Sequence, residues 1–132
     1  MKIVNLIKKA KHVYVCGNGG SSATAEHLVN DLFSKGIKAT CLNSNTSIMT
    51  MIANDFGYGF VFSKQLGIYG KRGDLLITIS CSGTSPNVVS AIVTAKLMGM
   101  EVYEFKSFKK DKDYGKLEDR HLQLVHRIKD AL

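Results

Sequence analysis

Twice along this chain a short apolar run stops at a loop of glycines and hydroxyls and passes straight into a helical pattern. His12-Val-Tyr-Val-Cys16 runs into Gly17-Asn18-Gly19-Gly20-Ser21-Ser22, and Asp74-Leu-Leu-Ile-Thr-Ile-Ser80 runs into Cys81-Ser82-Gly83-Thr84-Ser85. Both runs are nearly continuous in apolar character and bounded by turn residues, so they read as strands covered on both faces. Strands of that kind separated by helices belong in a parallel sheet, since only a crossover returns the chain in the same direction. Two further strands are expected, at Ile37 to Leu42 and at Met100 to Phe105.

The segments between them carry helical spacing. Residues Ser21 to Lys35 place Ala25, Leu28, Val29 and Leu32 on one face, with Gly36 as the stop. Thr46 to Asn54 and Gly59 to Gly67 suit short helices, Ser85-Pro86 opens one that runs to about Met98, and Leu117 to Leu132 forms an amphipathic helix. Ser107 to Lys116 reads as a loop. The expectation is an α/β fold, a three-layer sandwich with helices on both faces of a mostly parallel sheet of four to five strands. At 132 residues it should form one domain spanning 1–132.

Charge narrows the partners. The formal net charge is +7, yet the lysines are dispersed apart from Lys8-Lys9-Lys11 and Lys106-Lys109-Lys110-Lys112, and Asp111 and Asp113 interrupt the second cluster. No aromatic residues alternate with these lysines to stack bases, so nucleic acid is not an expected partner; a basic surface also draws in phosphorylated small molecules. Cys16, Cys41 and Cys81 form no CxxC pair and suggest no disulfide framework. The opening MKIVNLIKKAK has no long apolar stretch of a leader, and no run approaches a membrane span, so a cytoplasmic location without membrane contact is expected.

Loops at the carboxyl ends of parallel strands are where α/β proteins bind ligands. Glycines let the backbone approach a phosphate, helix-start N–H groups favour an anion, and serine and threonine hydroxyls add hydrogen bonds. Neither loop fits a P-loop or a complete GxGxxG. The loop at 80–85 has no lysine or arginine of its own, which suits a sugar phosphate that must bind and leave. His27 and Asp31 are four apart and share a helix face; Glu118 and His126 are eight apart and align over two turns, whereas His121 points elsewhere. A carboxylate with a histidine can move a proton between neighbouring carbons. His27, Asp31, Glu118 and His126 are equally admissible ligands for zinc, and equally ordinary polar groups on amphipathic helices. An isomerase and a phosphosugar-binding module both fit these residues.

The segment Val13-Tyr-Val-Cys-Gly-Asn-Gly-Gly-Ser-Ser-Ala-Thr-Ala-Glu-His27 resembles the opening of the phosphoheptose isomerases, in the SIS-domain superfamily with its flavodoxin-like sheet. Asn45-Thr-Ser-Ile-Met-Thr-Met-Ile-Ala-Asn-Asp-Phe-Gly57, Gly73-Asp-Leu-Leu-Ile-Thr-Ile-Ser-Cys-Ser-Gly-Thr-Ser85 and Leu117-Glu-Asp-Arg-His-Leu-Gln-Leu-Val-His126 resemble the family's next three motifs in order. The resemblance implies aldose–ketose isomerisation of sedoheptulose 7-phosphate to a manno-heptose 7-phosphate through an enediol. It implies phosphate and sugar contacts at Asn18, Gly19, Gly20, Ser21, Ser80, Cys81, Ser82, Ser85 and Glu118, with Asn54 and Asp55 near the sugar. The catalytic carboxylate falls on Asp31 and the catalytic imidazole on His126. A zinc set falls on His27, Asp31, Glu118 and His126, with no organic cofactor. Asp31 stands for the family's glutamate, Cys81 for a threonine and Glu118 for a glutamine. The chain shows no counterpart of the family's N-terminal helical extension and a shortened segment at 106–116, which bears on the expected assembly into a dimer or tetramer. A non-catalytic SIS domain that binds a sugar phosphate or a protein is the alternative.

Overall fold

A computed structural model describes residues 1–106 and 113–132. The elements are α1 (Lys2–Lys9), β1 (Val13–Gly17), α2 (Gly20–Ser34), β2 (Ala39–Cys41), α3 (Thr46–Asp55), a 3₁₀ turn (Tyr58–Phe60), α4 (Ser63–Tyr69), β3 (Leu75–Ile79), α5 (Pro86–Leu97), β4 (Glu101–Phe105) and α6 (Tyr114–Ala131). All the described strand pairs are parallel, in the order β2-β1-β3-β4.

Alternation along the central strands divides the core into two halves. Val13 and Val15 of β1, with Leu75, Ile77 and Ile79 of β3, face Ile3 and Ile7 of α1, Leu28 and Leu32 of α2, and Val125 and Ile128 of α6. Tyr14 and Cys16, with Leu76, face Ile52 of α3, Phe62 and Leu66 of α4, and Val88 and Ala91 of α5. The sheet is therefore the middle layer of a three-layer sandwich, as the unbroken apolar runs require. A fully buried leucine such as Leu28 contributes roughly 1.5–3 kcal/mol by leaving water.

Three stretches depart from the sequence reading. Helix α1 is absent from the sequence reading although Ile3, Val4 and Ile7 recur at helical spacing; they bury one face while Lys8 and Lys9 complement its carboxyl end. Of the expected loop 107–116, residues 107–112 lie outside the described residues, and Tyr114, Gly115 and Lys116 already belong to α6. Asp113 starts that helix by accepting a hydrogen bond from the Lys116 backbone N–H at 3.2 Å. The expected segment from Gly59 to Gly67 splits into the 3₁₀ turn and α4. Ser85 is the N-cap of α5 with Pro86 in its first turn, although the serine makes no side-chain capping bond. Among the described residues no helix is long and apolar enough to cross a membrane.

Candidate active site

The chain leaves β1 toward β2 on one side and β3 toward β4 on the other, so a crevice opens where the carboxyl ends of β1 and β3 diverge. Asn18 follows β1 and Ser80 follows β3, and they line a cleft of ≈ 170 Å³ with Cys81, Ser82, Ser85, Tyr114 and Glu118. The loop after β3 is held open by its own hydroxyls. Ser80 Oγ accepts from the Gly83 N–H at 2.9 Å, and Ser82 Oγ accepts from the Thr84 N–H at 3.2 Å. The loop carries no cation, but the fold brings one: the methylenes of Lys106, just beyond β4, pack over Gly83 while its ammonium lies 3.4 Å from Glu104.

Asn18 is fixed by partners the sequence did not single out. It exchanges two amide hydrogen bonds with Asn87 of α5, at 2.8 and 2.9 Å, and its Oδ1 also accepts from the Tyr58 hydroxyl at 3.0 Å. Asn87 is buried, so this pair ties the first loop to the helix that follows the second. Asn43 clamps Gly17 from the other side, donating to its carbonyl at 2.7 Å and accepting from its N–H at 3.2 Å. An asparagine just after a short strand was the available signal, but only the β1–β2 pairing shows what it reaches.

The rest of the first loop does not line the cleft. Gly19 holds φ 56° and ψ −125°, a region open to glycine, and turns the chain directly into α2. Ser21 is buried. The carboxylate of Glu118 lies against Gly20, where a Cβ would meet its oxygens at 2.5 Å. The amino end of α2 thus already faces an anion, one supplied by α6. Cys81 is beside both residues: burial raises its thiol pKa and the Glu118 charge raises it further, against a hydrogen bond with Ser21. Asn54 and Asp55 pair with each other at 3.0 Å at the end of α3 and do not line this cleft.

A second group of residues forms where α2 and α6 pack side by side. His27 and His126 approach with ring centroids 5.3 Å apart, and both are exposed. Asp31 lies beneath them, only 2% exposed. Its Oδ2 is 3.5 Å from His27 Nε2 without hydrogen-bond geometry, and its Oδ1 is 3.5 Å from the Lys129 ammonium. The structure therefore brings Asp31 and His126 to one place, as expected, but buries the carboxylate so that a ligand meets the imidazoles first. His121 turns inward from the same helix and packs on Phe105; burial lowers its pKa, with Glu118 opposing the shift, and its Nδ1 has no hydrogen-bond partner.

The zinc set implied by resemblance does not fit these residues. Glu118 belongs to the cleft end of α6, against Gly20, and eight residues separate it from His126, about 12 Å of helix rise. Asp31 has an ammonium where a second ligand or an ion would need to approach. Among the described residues, no group of three or more histidine, cysteine, aspartate or glutamate side chains is arranged to hold a metal.

Comparison with known proteins agrees with this architecture. The SIS domain family matches residues 1–107. The chain is 32% identical over 150 residues to a phosphoheptose isomerase of Campylobacter concisus, covering 98% of this chain and 79% of that protein. It is 39% identical over 122 residues to one from Fusobacterium nucleatum, covering 89% of this chain and 61% of the relative. The solved phosphoheptose isomerase of Neisseria gonorrhoeae superposes with a TM-score of 0.89 at 29% identity, covering 98% of this chain and 79% of that one. The chain therefore belongs to the SIS-domain family and, within it, to the phosphoheptose isomerases.

Proposed function

We propose that the chain isomerises a phosphorylated heptose, converting sedoheptulose 7-phosphate to a manno-heptose 7-phosphate, as one SIS domain spanning residues 1–132. The observation that carries this reading is a matching of lengths. Glu118 lines the cleft and lies against Gly20 at the start of α2, and His27 lies seven residues along that helix, about 10 Å of helix rise away. An extended carbon chain advances about 1.2 Å per bond, so eight bonds from phosphorus to C1 of a heptose 7-phosphate also span about 10 Å. Phosphate in the hydroxyl cleft would leave C1 and C2 beside His27 and His126.

The chemistry then follows from the side chains. Ser80, Ser82, Ser85 and Asn18 hold the phosphate through hydroxyl and amide groups. His126 removes the proton from C1 as His27 protonates the C2 carbonyl oxygen, giving the enediol. His126 returns its proton to C2 as the C1 hydroxyl yields one to His27, giving the aldose. With Nε2 turned toward Asp31, His27 keeps Nδ1 for the substrate oxygen, so Asp31 is a positioning residue for that ring. Glu118 borders the path between the two ends.

Self-association into a dimer or tetramer belongs to the same proposal. Its support is an uneven surface: Met51, Phe56, Phe60, Ile68, Val93 and Leu97 are all exposed on the α3–α5 side. A cytoplasmic location is supported by three free cysteines, two of them buried.

A coupled isomerisation assay over a range of protein concentrations tests the reading. The wild type should turn over sedoheptulose 7-phosphate, and His126→Ala should lose about 10²–10⁴-fold in kcat while still binding it. Binding without turnover by the folded wild type at every concentration would leave a phosphosugar-binding domain instead.

A further inference from the structure

We infer that Lys129 stands in for a divalent metal, so that His27, Asp31 and His126 form a proton-transfer cluster closed to zinc by its own ammonium. The inference rests on the proposed reaction for its catalytic meaning, but the ion chemistry is tested without turnover.

Four side chains meet from two helices. His27 and Asp31 are one turn apart on α2, and His126 and Lys129 are three residues apart on α6, a spacing that puts each pair on one face. Asp31 is the buried member, its side chain 3% exposed, and a buried carboxylate needs a compensating positive charge. Lys129 supplies it at 3.5 Å on one oxygen, and the stem of the lysine lets the ammonium reach down while 43% of the side chain stays exposed. The other oxygen faces His27 at 3.5 Å and accepts no hydrogen bond. Two exposed imidazoles with ring centroids 5.3 Å apart and a carboxylate oxygen without a hydrogen-bond partner are ligand types that zinc takes, though drawing them round one ion needs the rings to move. The ammonium prevents it, because zinc bound through Asp31 would sit beside a fixed positive charge on the same carboxylate.

Removing the ammonium should therefore admit the metal. Zinc chloride and cobalt chloride titrations of the whole chain, read by calorimetry and by cobalt absorption, compare wild type with Lys129→Met and Lys129→Gln. The wild type should show no one-to-one site. Either variant should bind zinc more than tenfold tighter, give cobalt bands of nitrogen and oxygen ligation, and lose both when His126→Ala is added. The variants should melt lower than wild type, and zinc should raise their melting temperature but not that of the wild type or of Lys129→Arg. One zinc per wild-type chain, lost in His27→Ala, would overturn the inference. So would folded Lys129→Met and Lys129→Gln proteins that gain no affinity.

Discussion

The turn after β1 and the turn after β3 begin from one sequence design and end in different occupations. Each follows a buried strand, each is rich in glycine and hydroxyls, and each opens a helix. After β3, Ser80, Cys81, Ser82 and Ser85 line an open cleft. After β1, Gly17 and Gly20 are pressed against protein, and Glu118 already faces the amino end of α2. A glycine loop at a strand end is thus a place where something approaches closely, and that something can be the protein itself. Only Asn18 of the first turn faces the ligand side, and Asn87 and Tyr58 hold it there.

The sharpest break in that comparison comes from adding one methyl group. A Cβ at Gly17 would meet the Ser21 carbonyl oxygen at 2.7 Å and that of Ile79 at 2.8 Å, both backbone. Gly17→Ala should cost about 3 kcal/mol of unfolding free energy, the upper end for overpacking, measured by denaturant titration. Gly20→Ala meets only the movable Glu118 carboxylate and should cost about 1 kcal/mol or less. Equal losses in the two variants would show that the first turn is not pinned by backbone packing.

A smaller effect separates the turns by ligand. Ser80→Ala removes a hydroxyl that both lines the cleft and braces Gly83, and should raise KM for the sugar phosphate about tenfold. Ser22, whose hydroxyl turns back to the Gly19 carbonyl at 2.7 Å, should tolerate alanine with KM unchanged. Steady-state kinetics on the two variants decide between one phosphate-holding turn and two.

The smallest effect concerns the inner face of α6. Burial lowers the folded-state pKa of His121 below its ordinary 6.5, so above pH 6.5 the ring is neutral in both states and stability is unaffected. Below 6.5 the unfolded chain takes up the proton first, and stability falls until the lowered folded pKa is passed. His121→Phe should flatten this acid-side loss, as followed by melting temperature between pH 7 and pH 5. An unchanged slope would place the acid sensitivity elsewhere.

Much of this was legible in the residues. Four strands and the helices α2, α3 and α5 declare themselves through apolar runs, glycine stops and Pro86, because burial on both sheet faces leaves few polar interruptions. Helix α1 was legible in Ile3, Val4 and Ile7 at helical spacing, but with 8 residues and no capping side chain it announces its start less clearly than the longer helices. Spacing put His27 and Asp31 on one face of α2 and aligned Glu118 with His126, and the family resemblance gave Asp31 and His126 their roles. What periodicity could not convey was depth: helical geometry places Asp31 beside His27 but does not say which of them water reaches. Asn43, Asn87, Tyr58 and Lys129 carry no local signal for a related reason. Their partners lie 26 to 98 residues away in the chain, on elements whose adjacency exists only once the sheet order is known.

The side-by-side course of α2 and α6 makes turnover a report on how well the last helix is seated. His27 rides on an early helix and His126 on the final one, so any loosening of α6 separates the imidazoles while the parallel strands stay intact. Catalysis should then fade at a milder temperature or denaturant concentration than circular dichroism does, and the gap between those two curves would measure how firmly α6 is docked.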